Sequence, residues 1–202
     1  MWLSIAAIAA AAYLLGGING AIIISKYFYK KDIRDFGSGN AGLTNFQRTF
    51  GSKSAILVIV IEVLKSAAAT FIGAAVLGRF GQPGLGRYIG GFFAMIGHTF
   101  PAYYGFKGGK GVLTVGTVVL CVDLRVGLVS WGTFIAIVAL TKYVSLGSII
   151  GSGMVVAATW IFRQDFKETF VAFLCCLLIV IMHRENIRRL KKGEERKLSF
   201  KR

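Results

Sequence analysis

The sequence predicts an all-α membrane protein: a polytopic bundle of seven transmembrane helices, N-terminus outside and C-terminus cytoplasmic. Three observations lead there. The chain of 202 residues is 55% hydrophobic, and its charges gather in short clusters between long apolar runs, as in a membrane protein. Seven of those runs approach the length needed to cross about 30 Å of hydrocarbon, about 20 residues of helix. Helix is the only open-chain structure that satisfies its own backbone in lipid. Finally, the basic residues fall unequally on the two sides that seven crossings would create.

The runs come in the order Trp2 to Ser25, Ser54 to Gly78, Tyr88 to Tyr104, Val112 to Leu124, Val126 to Leu140, Val144 to Phe162, and Phe166 to Met182. The first starts at Met1 without a basic leader and runs past the length of a signal peptide core, so it is expected to remain as a spanning helix. The fourth is short enough to be re-entrant, and only Asp123, Leu124 and Arg125 separate it from the fifth. Charge decides between the two. With all seven crossing, eighteen Lys and Arg lie on one side and five on the other, Lys65 being inside a span. A re-entrant fourth run would instead split the basic C-terminal tail from the basic loops. The positive side is the cytoplasmic one. The whole chain, 1–202, reads as one integral membrane domain with a basic tail from about residue 187.

Twenty-four Lys and Arg against nine Asp and Glu give a net charge of +15. In a soluble domain that balance would suggest nucleic acid, but here the aromatic residues sit in or beside apolar runs. No nucleic-acid partner is expected. Cys121, Cys175 and Cys176 lie in apolar stretches without metal-ligand or disulfide spacing, and read as packing residues.

Three polar stations fall on the cytoplasmic side. The first is the loop from Asp32 to Arg48, which carries G-x-G-x-x-G at Gly37, Gly39 and Gly42. A dinucleotide fold is excluded, because the loop follows a membrane span and not a strand, and the acidic Glu62 twenty positions on lies in another apolar run. What remains is an anion loop: glycines that let backbone amides approach closely, with Ser38, Asn40, Thr44, Asn45 and Arg48 adding donors and charge. The second station, Gly97 to Gly111, ends in Phe-Lys-Gly-Gly-Lys-Gly. It is no P-loop, since Gly111 follows Lys110 where a Ser or Thr hydroxyl belongs. Lys107 and Lys110 among Gly108, Gly109 and Gly111 still make an anion nest, or else a glycine-rich connection with lysines at the headgroups. The third station follows the last run. If the helix continues, His183 and Asn186 share a face, with Arg188 and Glu194 beyond, while Lys191, Lys192 and the tail read as a topological anchor.

Within the runs, Glu62 and Lys65 form an i, i+3 pair that lowers the cost of burying either charge. Asn19 reads as interhelical glue, and His98 as a core histidine. Glu62, Lys65, His98, Ser145 and Glu194 are expected to support the site.

Joined in this order, Gly-Ser-Gly-Asn-Ala-Gly-x-Thr-Asn, Gly-His-x-Phe-Pro with Phe-Lys-Gly-Gly-Lys-Gly-Val, and the C-terminal His-Arg-x-Asn-Ile resemble the bacterial acyl-phosphate:glycerol-3-phosphate acyltransferase family over nearly the whole chain. Leu43, Glu62, Ser66 and Leu113 depart from its pattern, none at a candidate phosphate ligand. The resemblance implies transfer of a fatty acyl group from acyl phosphate to the sn-1 hydroxyl of glycerol 3-phosphate. The products would be lysophosphatidic acid and phosphate, the first step of phospholipid synthesis, in the bacterial cytoplasmic membrane. No metal or cofactor is implied, and a monomer suffices. Ser38, Arg48 and Lys107 would hold phosphates, and Gly108, Gly109 and Gly111 would supply amides. His183 and Asn186 would orient glycerol 3-phosphate, the base being His183 or an acyl-phosphate oxygen. Independently, the His-x4-Asp dyad of other acyltransferases is absent, since Tyr103 and Arg188 stand five residues after the two histidines and no nearby carboxylate orients either ring. A transporter of organic phosphates would also explain basic glycine loops, but should show midplane groups and internal repeats.

Overall fold

The computed structural model describes residues 1–198, so Lys201 and Arg202 of the expected basic tail lie outside the described residues. Among the described residues there are ten α-helices and no strand. The expected first run is two helices, α1 (Trp2–Gly17) and α2 (Gly20–Tyr29). A short helix, α3 (Leu43–Phe50), precedes the long α4 (Ser52–Gly78). Next come α5 (Pro83–Thr99), α6 (Val112–Val122), α7 (Leu124–Thr141), α8 (Val144–Arg163), α9 (Phe166–Met182) and α10 (Arg184–Lys192).

The pair α1–α2, together with α4, α7 and α8, is long and apolar enough to cross a membrane. A fifth candidate is α9 with α10, bent by 57° at His183, while α6 is a shorter apolar helix. The third expected run is found five residues earlier than read, because Pro83 opens α5 at its first turn, where a proline's missing N–H costs nothing. Asp123 ends α6 and caps α7, its Oδ1 accepting the Arg125 N–H at 2.9 Å.

Packing is closest where side chains are smallest. α5 lies against α4 and α1, and α8 against α7 and α9. A Cβ on Gly73 would sit 2.0 Å from the Gly86 carbonyl oxygen, and one on Gly97 would sit 2.1 Å from that of Tyr13. The α4–α5 and α1–α5 backbones thus touch directly, the small-residue packing that holds helices together where lipid offers no hydrophobic drive. Large apolar side chains such as Leu64, Leu140, Trp160 and Phe166 point outward. In water they would form aggregating patches; in a bilayer they meet acyl chains.

Candidate active site

All three polar stations meet at one end of this bundle. The loop between α2 and α3 is organised by a single buried side chain. Asn45 Nδ2 donates to the carbonyls of Phe36 (2.9 Å), Asn40 (3.0 Å) and Ile33 (3.3 Å), and its Oδ1 accepts the Ser38 N–H at 3.0 Å. Gly37 must have φ near +62°, and a Cβ there would lie 2.2 Å from Asn45 Oδ1. Asn45, expected to hold a phosphate, therefore has its amide committed to the backbone and shapes the loop instead. The same arrangement leaves Gly37, Ser38 and Gly39 exposed at its tip, with Thr44 half-buried in the first turn of α3 and Arg48 exposed in its last.

Two sets of bonds fasten the second station to the first. Gly108 O accepts from the Ala41 N–H (3.3 Å) and from Asn40 Nδ2 (3.4 Å). Arg34, held by Asp32 through Nε (3.0 Å) and Nη2 (2.7 Å), donates from Nη1 to the carbonyls of Tyr104 (2.7 Å) and Lys107 (3.4 Å). The Asp32 carboxyl is accordingly held well below the usual range by the Arg34 guanidinium, which outweighs the effect of burial. Two expectations change here. The amides of Gly108 and Gly109 donate to the carbonyls of Thr99 (3.1 Å) and His98 (3.0 Å), so they fold the loop and are not free for an anion. These glycines are needed for space, since a Cβ on Gly109 would lie 2.0 Å from His98 Nε2. Gly111, at φ +76°, starts α6 without a capping side chain. The free amides next to the lysines are thus those of the first turn of α6.

The third station joins the second through Lys110, whose Nζ donates to Asn186 Oδ1. Asn186 Nδ2 in turn donates to Glu195 Oε1 at 2.6 Å, where Ser145 Oγ also donates at 2.8 Å, and Arg189 Nε reaches Glu195 Oε2 at 2.8 Å. Asn186 is therefore a link between Lys110 and the C-terminal segment, not a free ligand for substrate. Burial raises the Glu195 carboxyl, but its three hydrogen bonds outweigh that and hold it below the ordinary value. Burial pulls the Lys110 ammonium down to about 8, with Arg189 adding to the effect and Glu195 opposing it. His183 is buried at the bend between α9 and α10, Nδ1 bonded to Ile179 O at 2.8 Å. Burial and the Lys110 charge push its imidazole down to about 4, so it is neutral near pH 7, Nδ1–H donating and Nε2 free to accept.

Sequence reading missed three members of this arrangement. Glu195, not Glu194, is the carboxylate at the hub, and Glu194 is exposed. Arg189, not Arg188, shares the face of Asn186, three residues apart on α10, and Arg188 is exposed. Arg34 clamps two stations that sequence could only place on the same side. Glu62, Lys65 and His98 come together as a buried cluster beneath the loops: Glu62 Oε2 lies 2.8 Å from Lys65 Nζ and 2.9 Å from His98 Nδ1. A carboxylate does orient one imidazole, contrary to the sequence reading, because it arrives from another helix and not from a nearby position.

The family model described as glycerol-3-phosphate acyltransferase matches residues 6–193. The chain belongs to that family. A glycerol-3-phosphate acyltransferase of Thermoanaerobacter pseudethanolicus is 41% identical over 190 residues, covering 94% of this chain and 93% of its own. One from Listeria monocytogenes is 38% identical over 192 residues, covering 94% of each. Among solved structures, the glycerol 3-phosphate form of PlsY (YgiH), an integral membrane glycerol 3-phosphate acyltransferase, superposes with a TM-score of 0.88 at 34% identity, over 97% of this chain and 96% of that one. Its lysophosphatidic acid form gives 0.86. The acyltransferase described here is thus an integral membrane enzyme of phospholipid synthesis, its polar site at one end of an apolar helical bundle.

Proposed function

We propose that this enzyme moves a fatty acyl group from acyl phosphate to the sn-1 hydroxyl of glycerol 3-phosphate, giving 1-acyl-glycerol 3-phosphate and inorganic phosphate. The observation that carries the reading is the junction of the two glycine loops, Ala41 on Gly108 with Arg34 across Tyr104 and Lys107, which sets Ser38, Arg48, Lys107 and Lys110 around one polar end. Two phosphate-bearing substrates need such a cationic surface. The acyl tail would lie along the apolar groove between α6, α7 and α8, whose lining begins at Val112, next to Gly111.

In this reading Lys107 and Arg48, both exposed, hold the phosphates, with the first-turn amides of α6 and the Ser38 hydroxyl. Lys110 stabilises charge developing on the departing phosphate. The glycerol oxygen attacks the acyl carbonyl carbon, the new ester C–O bond forms, and the C–O bond to phosphate breaks with its electron pair leaving on phosphate. An imidazole with a pKa of about 4 is a weak base. His183 Nε2 therefore serves to accept a hydrogen bond and orient the hydroxyl, and the proton ends on the departing phosphate. Acyl phosphate is already activated, so positioning supplies most of the rate.

The enzyme works as a monomer with seven crossings, N-terminus outside and this site at the cytoplasmic face, where its substrates arise. The basic excess at the site end supports that orientation. The experiment is direct: purified enzyme with acyl phosphate and glycerol 3-phosphate should release inorganic phosphate one-for-one with glycerol 3-phosphate consumed. Phosphate release that is independent of glycerol 3-phosphate would mean hydrolysis, and would sink the transfer reading.

A further inference from the structure

The first membrane segment is broken in its interior. α1 ends at Gly17 and α2 starts at Gly20, leaving the carbonyls of Gly16 and Ile18 and the amides of Gly20 and Ile22 without helical partners, all but Ile18 on buried residues. In lipid such groups need partners from elsewhere. Asn19 supplies one, its Oδ1 accepting the Ile22 N–H at 3.0 Å. α4 supplies the rest. Lys65 Nζ donates to Gly16 O (2.8 Å) and Ile18 O (2.6 Å), and Glu62 Oε1 accepts the Gly20 N–H at 2.9 Å.

The ammonium of Lys65 donates to Gly16 O and Ile18 O and lies 2.8 Å from Glu62 Oε2, in ion-pair range. His98 Nδ1 stands 2.9 Å from the same Glu62 oxygen and 3.1 Å from Lys65 Nζ, so the ring is held against both members of the pair. The ring edge left over, Nε2, abuts Gly109 so closely that a Cβ there would lie 2.0 Å from it. On the other side of the break, Asn19 Nδ2 donates to Ala41 O at 3.1 Å, and the Ala41 N–H is the group that docks on Gly108.

We infer that Glu62, Lys65 and His98 are positioning residues for the acyl-transfer reaction: they hold the break in the first segment so that it seats both glycine loops, His98 against Gly109 and Asn19 against Ala41. An uninterrupted apolar helix would have needed neither buried charge nor cap, and buried charge is costly. The ion pair is placed where it completes the break, and the break is placed where both loops rest on it. The inference rests on the acyl-transfer reading, because it assigns these residues to the register of the loops that hold the two phosphates.

The test is size complementation. Gly109→Ala should lower kcat/KM for glycerol 3-phosphate at least tenfold, because the new methyl meets the ring. Adding His98→Ala, which removes the ring, should restore several-fold of that loss. His98→Asn, which keeps a polar side chain beside Glu62 and Lys65, should raise KM for glycerol 3-phosphate about tenfold while kcat changes less than threefold, the pattern of lost uniform binding. Calorimetric affinity for glycerol 3-phosphate should follow KM. A double variant no better than Gly109→Ala, or a His98→Asn enzyme that loses only thermal stability, would overturn the inference. Wild-type enzyme that neither turns over nor binds glycerol 3-phosphate would overturn the acyl-transfer reading, and this inference with it.

Discussion

Lys110 in the second glycine loop donates to Asn186 on α10, a hydrogen bond that spans 76 residues of sequence. It joins the loop that carries the lysines to the bend that carries His183, and it brings Glu195 within reach of both. Cutting it from either side should have different consequences. Asn186→Ala leaves the half-buried Lys110 ammonium without its hydrogen-bond partner and takes one of three donors from Glu195, which keeps Ser145 and Arg189, and should cost about 1–3 kcal/mol of stability. Lys110→Met removes the cation itself. It should lower kcat about 10²-fold or more with a smaller change in melting temperature, since Lys110→Met removes the charge proposed to face the leaving phosphate and Asn186→Ala does not. Melting curves and kinetics on both variants decide this.

The pH profile should carry the mark of Lys110. Its ammonium titrates at about 8, and the catalytic form is the cation, so kcat/KM should fall as pH rises through about 8. Lys110→Arg should move that limb above the measurable range, because guanidinium stays charged. His183 is neutral above about 4, so it should contribute no limb between pH 5 and 7, where the second ionisation of the substrate phosphates falls, at about 6. An acid limb near 6.5 that His183→Gln removes would mean that His183 titrates as an ordinary imidazole and acts as the base.

Neighbouring glutamates should behave oppositely. Glu195→Gln replaces an oxygen that accepts from Asn186, Ser145 or Arg189 with a donor, and should destabilise by about 2–3 kcal/mol. Glu194→Gln, at an exposed position, should stay within about 0.5 kcal/mol of the wild type. Equal melting temperatures for the two variants would contradict the hub.

Asn45 should matter more than its neighbour Thr44. Asn45→Ala removes the donor to three carbonyls and leaves the Asn40 carbonyl and the Ser38 N–H without partners, and should abolish activity through loop collapse, visible as proteolytic cleavage between residues 33 and 45. Thr44→Ala should leave the loop resistant to protease. Cleavage that is unchanged in Asn45→Ala would show that the loop is held some other way.

Seven apolar segments were legible because burial in lipid imposes one rule along the whole chain, and each expected segment corresponds to a helix or, for the first, to two. The break was not legible from hydropathy, which averages over the single polar residue Asn19. The signal was local: Asn19 between Gly17 and Gly20 is a helix stop followed by a cap. Much the same holds at the C-terminus. Gly193, with φ +73°, ends α10 and reverses the chain, which is why Glu195 returns to the site and Glu194 does not. Asn186 and Arg189 were one helical turn apart in the sequence, yet Arg188 was read in place of Arg189. Loop–loop clamps such as Arg34 on Tyr104 depend on how separate segments pack, which no local pattern encodes.

Acyl transfer from acyl phosphate to the sn-1 hydroxyl is best tested by presenting the purified enzyme with labelled glycerol 3-phosphate and, in parallel, acyl phosphate or an acyl thioester, then resolving the positional isomers of the product. Label should appear in 1-acyl-glycerol 3-phosphate with acyl phosphate alone. Equal product from thioesters, acylation at the other hydroxyl, or no product while both substrates bind would contradict it.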